Sequence, residues 1–287
     1  MEAATSEHQG LWILSHLHSS SHLICRILGA SAKVMVDLKH PWMMADPWFM
    51  VATLGIYLYF VTSVGPLFMQ FRKPYELKKL IIAHNVIQVV SCIYIIREIF
   101  YLSDNSIYIF WKCRDLGSSP EMVRRYFELA YFLFFLKTSE LLETVIFVLR
   151  KKQNQVSNLH LFHHLSTLTL VYILIHYNQN GLAAYYVVFL NSVVHIFMYS
   201  YYLVAAVADK STIRALTPVK KFITVIQMVQ FCLILTQAAF QTAFCGVPKV
   251  VFGYFTFVIT VMLYGFYDFF TRAYSSPKHG KSESSVE

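Results

Sequence analysis

From about residue 47 onward, long apolar stretches alternate with short polar ones. Seven of them suit a bilayer core, which takes about 20 residues per helix. They run approximately over 47–69, 80–100, 126–148, 159–176, 182–207, 222–244 and 250–270. The pattern predicts an all-α integral membrane protein with seven transmembrane helices. Arg97 and Glu98 fall at the far end of the second stretch, where long side chains can snorkel toward the interface. Residues 1–46 are mixed, with scattered His and Ser, and read as a lumenal or interfacial lead-in. Residues 275–287 read as a flexible cytosolic tail.

Composition supports this reading. Of the residues, 56% are hydrophobic and 14% charged, with mean hydropathy +0.50. A soluble domain has about 25% charged residues. In a membrane protein the net charge of +8 reports topology first, so no nucleic-acid partner is expected. Fourteen Lys and Arg residues fall in one set of connections and the tail, and six in the alternate set. Positive-inside then places the N-terminus in the lumen and the C-terminus in the cytosol, and an odd number of spans agrees. The five cysteines show no CxxC spacing, which removes zinc-ribbon and thioredoxin chemistry. Cys113 and Cys245 both fall in non-cytosolic connections, where an oxidising lumen permits a disulfide.

Polar residues inside the apolar stretches carry the chemistry. His160, His163 and His164 sit at i, i+3 and i+4 and share one helix face. Lys137, Glu140 and Glu143 form a stripe on the third stretch. Asn191, His195, Tyr199 and Tyr202 approach the cytosolic end of the fifth. Gln227 and Gln230 follow the cytosolic start of the sixth. At a rise of 1.5 Å per residue, all lie roughly 5 to 25 Å inside the cytosolic surface. One or two such groups serve as interhelical hydrogen bonds. A lysine, two glutamates, four histidines and several amides at one depth point to a shared polar chamber. His84, near a helix end, reads as structural.

Several ordered runs carry a resemblance. They include Gly65-Pro66, Arg72-Lys73-Pro74, the Lys137-Thr138-Ser139-Glu140-Leu141-Leu142-Glu143-Thr144 run and the HxxHH box at 160–164. Two longer runs, Asn191 to Tyr202 and Lys220 to Phe231, follow, and the ending is Cys245-Gly246 with Pro248-Lys249, then Asp268-Phe269-Phe270 and Ala273-Tyr274. From about Trp48 to Tyr274 the chain resembles the very-long-chain fatty-acid elongases (ELO family), the membrane condensing enzymes of fatty-acid elongation. Residues 47–274 would form the elongase domain. One departure is Glu143, where the family usually has aspartate; its extra methylene moves the carboxylate by over an ångström. The dilysine retrieval ending usual in the family is also missing.

The resemblance implies condensation of a long-chain acyl-CoA with malonyl-CoA to 3-oxoacyl-CoA, CO2 and CoA, with no cofactor and no metal. It implies an endoplasmic reticulum membrane protein in which six helices form a barrel-like bundle around a substrate tunnel, with the first helix peripheral. It also implies an acyl-histidine intermediate, for which His163 is the nucleophile candidate. His160, His164 and His195 are the further catalytic candidates. Lys137, Glu140, Glu143, Asn191, Tyr199, Tyr202, Gln227 and Gln230 are the substrate-binding candidates. Membrane lipids, the ketoacyl-CoA reductase, dehydratase and enoyl reductase of an elongation cycle, and a second copy of the chain are candidate partners. A di-iron desaturase or hydroxylase also uses HxxHH, but two irons need about eight histidines from several boxes, in line with the affinity of non-haem iron for imidazole. A non-enzymatic seven-span lipid-binding protein fits the polar layer but not the ordered motifs.

Overall fold

The computed structural model describes residues 47–103, 113, 119–177, 182–245, 247 and 249–275. The expected N-terminal segment 1–46 and residues 276–287 of the expected tail lie outside the described residues.

Every regular element among the described residues is helical. Helix α1 (Pro47–Tyr59) continues through a π-turn (Phe60–Val64) into α2 (Gly65–Met69). Then come α3 (Lys78–Leu102), α4 (Pro120–Leu149), α5 (Asn158–Tyr177), α6 (Leu182–Val207) and the short α7 (Lys210–Ala215). The last two are α8 (Thr217–Phe244) and α9 (Lys249–Phe270). Pro120 and Pro218 stand in the first turns of α4 and α8, where a missing N–H costs nothing. Asp209 caps α7, accepting from the backbone N–H groups of Ser211 and Thr212. Hydrogen bonds from its neighbours' hydroxyls lower its pKa to about 2.

The sequence reading expected seven spanning helices, with six in a barrel-like bundle. Among the described residues, six helices are long and apolar enough to cross a membrane. They are Pro47–Met69, Lys78–Leu102, Asn158–Ile175, Ala184–Val207, Thr217–Phe244 and Lys249–Tyr274. The helix that drops out is α4, the expected third span. Its length is ample, but Lys137, Glu140 and Glu143 keep too many charges in any membrane-length window. No strand, and so no β-barrel, occurs among the described residues. The odd-number parity that supported termini on opposite sides falls with the seventh span. The protein is an all-α, multi-span membrane protein.

Packing brings α4 inside the molecule all the same. It lies against α3, α5 and α2, while α3 packs most extensively on α6, α6 on α8, α8 on α9, and α9 on α5. One apolar core gathers around Ile95, Ile99, Leu168 and Val148, and a second around Phe231, Ile234, Val258 and Met262. Gly265 faces α5 closely: a Cβ there would stand 2.5 Å from Leu159 Cδ1, so that side chain would have to shift. The outward faces carry exposed Leu67, Ile87, Val90, Phe257 and Tyr264, as lipid contact requires.

The α4–α5 connection sets the orientation of the site. Lys151 adopts φ 55°, a left-handed conformation usually left to glycine. Lys152 N–H donates to Phe147 O at 2.8 Å and Lys151 N–H to Val148 O at 3.0 Å, which closes α4 in a Schellman turn. Lys151 Nζ also reaches Gln70 O at 3.2 Å. After a 3-10 turn at Gln153–Gln155, α5 starts back alongside α4 with the histidines in its first two turns.

Candidate active site

The charged stripe of α4 meets the polar face of α6. Lys137 Nζ donates to Glu140 Oε1 at 2.8 Å and Oε2 at 3.1 Å, and to Asn191 Oδ1 at 3.1 Å. His195 Nδ1 stands 3.5 Å from Glu140 Oε1. Lys137, Glu140 and His195 are all buried. A buried ion pair persists only when its remaining donors and acceptors are also satisfied, and Asn191 and His195 supply that here. Lys137 is therefore committed to its protein neighbours. Lys137 and Glu140, both read from sequence as substrate-binding candidates, pair with each other at their i, i+3 spacing; the link to Asn191, 54 residues away, had no local signal.

One turn on, Glu143 gathers a second set. Tyr199 OH donates to Glu143 Oε1 at 2.5 Å, and His84 Nε2 lies 3.3 Å from the same oxygen. His164 Nε2 stands 3.9 Å from Oε2. His84, read from sequence as structural, thus faces a predicted site residue. The ring of Tyr199 lies edge-on to both His84 and His195, with centroids 6.1 and 5.4 Å away.

The three histidines of the box separate into different surroundings. His160 Nε2 is 2.9 Å from Thr144 Oγ1, which is 2.7 Å from Tyr57 OH. This chain of contacts ties α1, α4 and α5 together. His164 stacks edge-on against both neighbours, with centroids 4.4 Å from His160 and 5.1 Å from His163. Its Nδ1 is buried without a hydrogen-bond partner. The His163 ring has neither a hydrogen-bond nor an ion-pair partner among the described residues, and it lines two adjoining cavities.

The first cavity holds about 640 Å³. His84, Glu143, His160, His163, His164 and Tyr199 line it, with Lys78, Arg150 and Lys220 adding positive charge. The second, about 80 Å³, is bordered by Lys137, His163, Thr167, Asn191, His195, Gln227 and Gln230 and otherwise by apolar side chains such as Leu170, Phe231 and Ile259. His163, His195, Gln227 and Phe266 are common to both. Gln227 Nε2 donates weakly to Met198 Sδ at 3.7 Å. Gln230 lines the second cavity, and the more exposed Tyr202 lines the first. All the predicted residues of α4, α5, α6 and α8 except Glu140 therefore line one or both of two neighbouring cavities, a polar one and a smaller, more apolar one. Sequence reasoning missed Tyr57, Thr144 and Asn85, the last a buried amide on the first cavity with an unpartnered Nδ2. Among the described residues, no group of three or more His, Cys, Asp or Glu side chains is placed to hold a metal ion.

Outside the site, Cys113 and Cys245 are bonded to each other with a Cα–Cα distance of 5.1 Å.

Comparison with known proteins gives the family. The profile of the ELO: GNS1/SUR4 family matches residues 42–282. Very long chain fatty acid elongase 7 of Drosophila melanogaster is 34% identical over 254 residues, covering 85% of this chain and 74% of its own. Very long chain fatty acid elongase 4 of Mus musculus is 32% identical over 242 residues, covering 84% and 76%. Very long chain fatty acid elongase 1 of Homo sapiens is 36% identical over 194 residues, covering 67% and 68%. A family profile spanning most of the chain, together with relatives matched over most of their own lengths, establishes that this protein belongs to the ELO (GNS1/SUR4) family of fatty-acid elongases.

Proposed function

We propose that this chain condenses a long-chain acyl-CoA with malonyl-CoA in the endoplasmic reticulum membrane, giving 3-oxoacyl-CoA, CO2 and CoA, and that His163 carries the acyl group between two half-reactions. The observation behind this reading is the unpartnered His163 ring at the junction of the polar and apolar cavities. An imidazole whose ring nitrogens are in no hydrogen bond or ion pair is available to attack, and its position lets an acyl tail lie in apolar surroundings while CoA stays on the polar side.

In the first half-reaction, a neutral His163 nitrogen attacks the thioester carbonyl. The C–S bond breaks, CoA leaves as thiolate, and the ring proton released on acylation balances it. In the second, malonyl-CoA loses CO2, and the electron pair of the broken C–C bond becomes the enolate. The enolate carbon attacks the acyl carbonyl, the C–N bond breaks, and the imidazole regains a proton. One proton is consumed overall.

Preorganised donors stabilise developing negative charge. With Oδ1 taken by Lys137, Asn191 presents its Nδ2, and His195 is anchored by Glu140. Glu143, held by Tyr199 and His84, positions His164 beside the reacting ring. Lys78, Arg150 and Lys220 on the first cavity suit the CoA phosphates or the malonyl carboxylate better than Lys137, whose donors are occupied. The low-water passage protects an acyl-imidazole from hydrolysis.

Incubating purified protein with acyl-CoA alone should release about one CoA per chain and leave an acyl adduct on the peptide containing His163. His163→Ala should lose both signals and lower condensation by roughly 10³-fold or more, with the protein still folded. CoA release that requires malonyl-CoA would replace the two-step route with direct transfer, and full activity in the variant would remove His163 from the chemistry.

A further inference from the structure

Helix α8 carries a glutamine stripe that does not stop at the polar site. Beyond Gln227 and Gln230, Gln237 and Gln241 follow at an i, i+4 spacing on the same side of the helix. A third cavity of about 40 Å³ lies there. It shares Leu170, Leu174, Val187 and Phe255 with the second cavity. The three cavities thus neighbour one another through shared lining residues, with His163 and Gln227 lining both the first and the second. Gln237 is ten residues beyond Gln227, about 15 Å along the helix, and Gln241 is about 21 Å along.

Both side chains are deeply buried, 2% and 4% exposed. The Nε2 of each has no hydrogen-bond partner. Both line the third cavity, among side chains such as Ile173, Leu174 and Phe255. An unpaired buried amide is destabilising, and leucine at either position would remove that cost. Two such amides beside a largely apolar third cavity, which Thr242 also lines, therefore point to a polar group that enters it.

We infer that the distal end of this passage recognises an oxygen near the ω end of the acyl chain, so that ω-hydroxylated long-chain acyl-CoAs are preferred substrates. This rests on the reading of the passage as the acyl site. An apolar pocket penalises a buried hydroxyl. Amide donors at the right depth reverse that penalty, and only for chains long enough to reach them. The preference therefore depends on chain length in a way that a structural role for the glutamines does not produce.

The test uses the full-length protein with paired acyl-CoAs, saturated and ω-hydroxylated, from dodecanoyl to octadecanoyl and beyond, and a polyunsaturated set of the same lengths. The native chain should favour the saturated member of short pairs, whose ω-hydroxyl would end in apolar surroundings. It should favour the ω-hydroxy member in kcat/KM by about tenfold once the tail reaches Gln237. In Gln237→Leu/Gln241→Leu the ratio should fall below one, with the saturated parents still elongated. Equal or poorer use of ω-hydroxy chains at every length by the native protein overturns the inference. So does a preference that survives the double substitution, or one for polyunsaturated chains instead. If the double variant does not fold, the length profile of the native chain still decides. Failure of the native protein to elongate any acyl-CoA strikes the condensation reading itself and takes this inference with it, whereas elongation without the preference strikes the inference alone.

Discussion

Glu98 and Glu140 are both buried carboxylates with basic partners, yet their surroundings differ in kind. Glu98 is held by Arg97 at 2.7 Å and Arg125 at 2.9 Å, and those side chains remain 71% and 33% exposed. Arg125 also lies over the Tyr101 ring at 3.8 Å. Glu140 is held by Lys137 and His195, which are themselves buried. The first cluster joins α3 to α4 and keeps its cations hydrated. The second removes both signs of charge from water beside a cavity. Two hydrated cations around one carboxylate suffice for a structural staple. A network with no member in water is costly to bury, whereas the Glu98 staple keeps its cations in contact with water.

The largest effect expected from this difference follows removal of one inner partner. Lys137→Met leaves Glu140 buried against His195 alone and should cost about 3–5 kcal/mol, read as a lowered thermal midpoint in detergent. Lys137→Met/Glu140→Met should recover most of that stability while condensation stays lost. If the double variant is as unstable as the single one, the loss comes from packing and the electrostatic contrast with Glu98 fails.

A smaller effect should follow at Glu143, which gathers the second buried set of partners and lines the first cavity. Aspartate, usual in the family at this position, would withdraw the carboxylate from Tyr199 and His84. Their contacts at 2.5 and 3.3 Å are fitted to the longer side chain. Glu143→Asp should lower kcat by up to about 10²-fold through misplacement of the histidines, with KM and stability little changed. An unaltered kcat would mean that the network tolerates the shift and that Glu143 positions nothing.

Much of this site is legible along the chain. The histidine spacing, the Lys137–Glu140 step and the glutamines of α8 are local patterns, and helix geometry alone puts them at one depth. His84 is not legible in this way. It pairs with Glu143 across 59 residues, a match set by how α3 and α4 pack rather than by any repeat. The Tyr57–Thr144–His160 contacts are hidden for the same reason, since they join three helices through short polar side chains ordinary in any apolar segment. The count of spans went wrong in the opposite sense. The charges of α4 that mark the site also make that helix too polar to qualify as a membrane span, so length was a poor guide to it.

The outer cluster should give the mildest response, and its internal order tests the explanation. Glu98→Gln keeps a hydrogen-bond acceptor and leaves two arginines that can turn to water, so it should cost about 1–2 kcal/mol, well below Lys137→Met. Arg97→Ala should cost less still, under about 1 kcal/mol, because an exposed partner contributes little net Coulomb energy and gives up side-chain entropy to hold its place. Arg125→Ala should fall above Arg97→Ala, since it also loses the stacking on Tyr101. Added salt should shrink the Arg97 effect, because exposed charges are screened, and leave the Lys137 effect nearly unchanged. Thermal midpoints of these variants at low and high ionic strength decide the matter. If Glu98→Gln matched Lys137→Met, or if salt acted equally on both clusters, exposure of the cations would not be what separates the two regions.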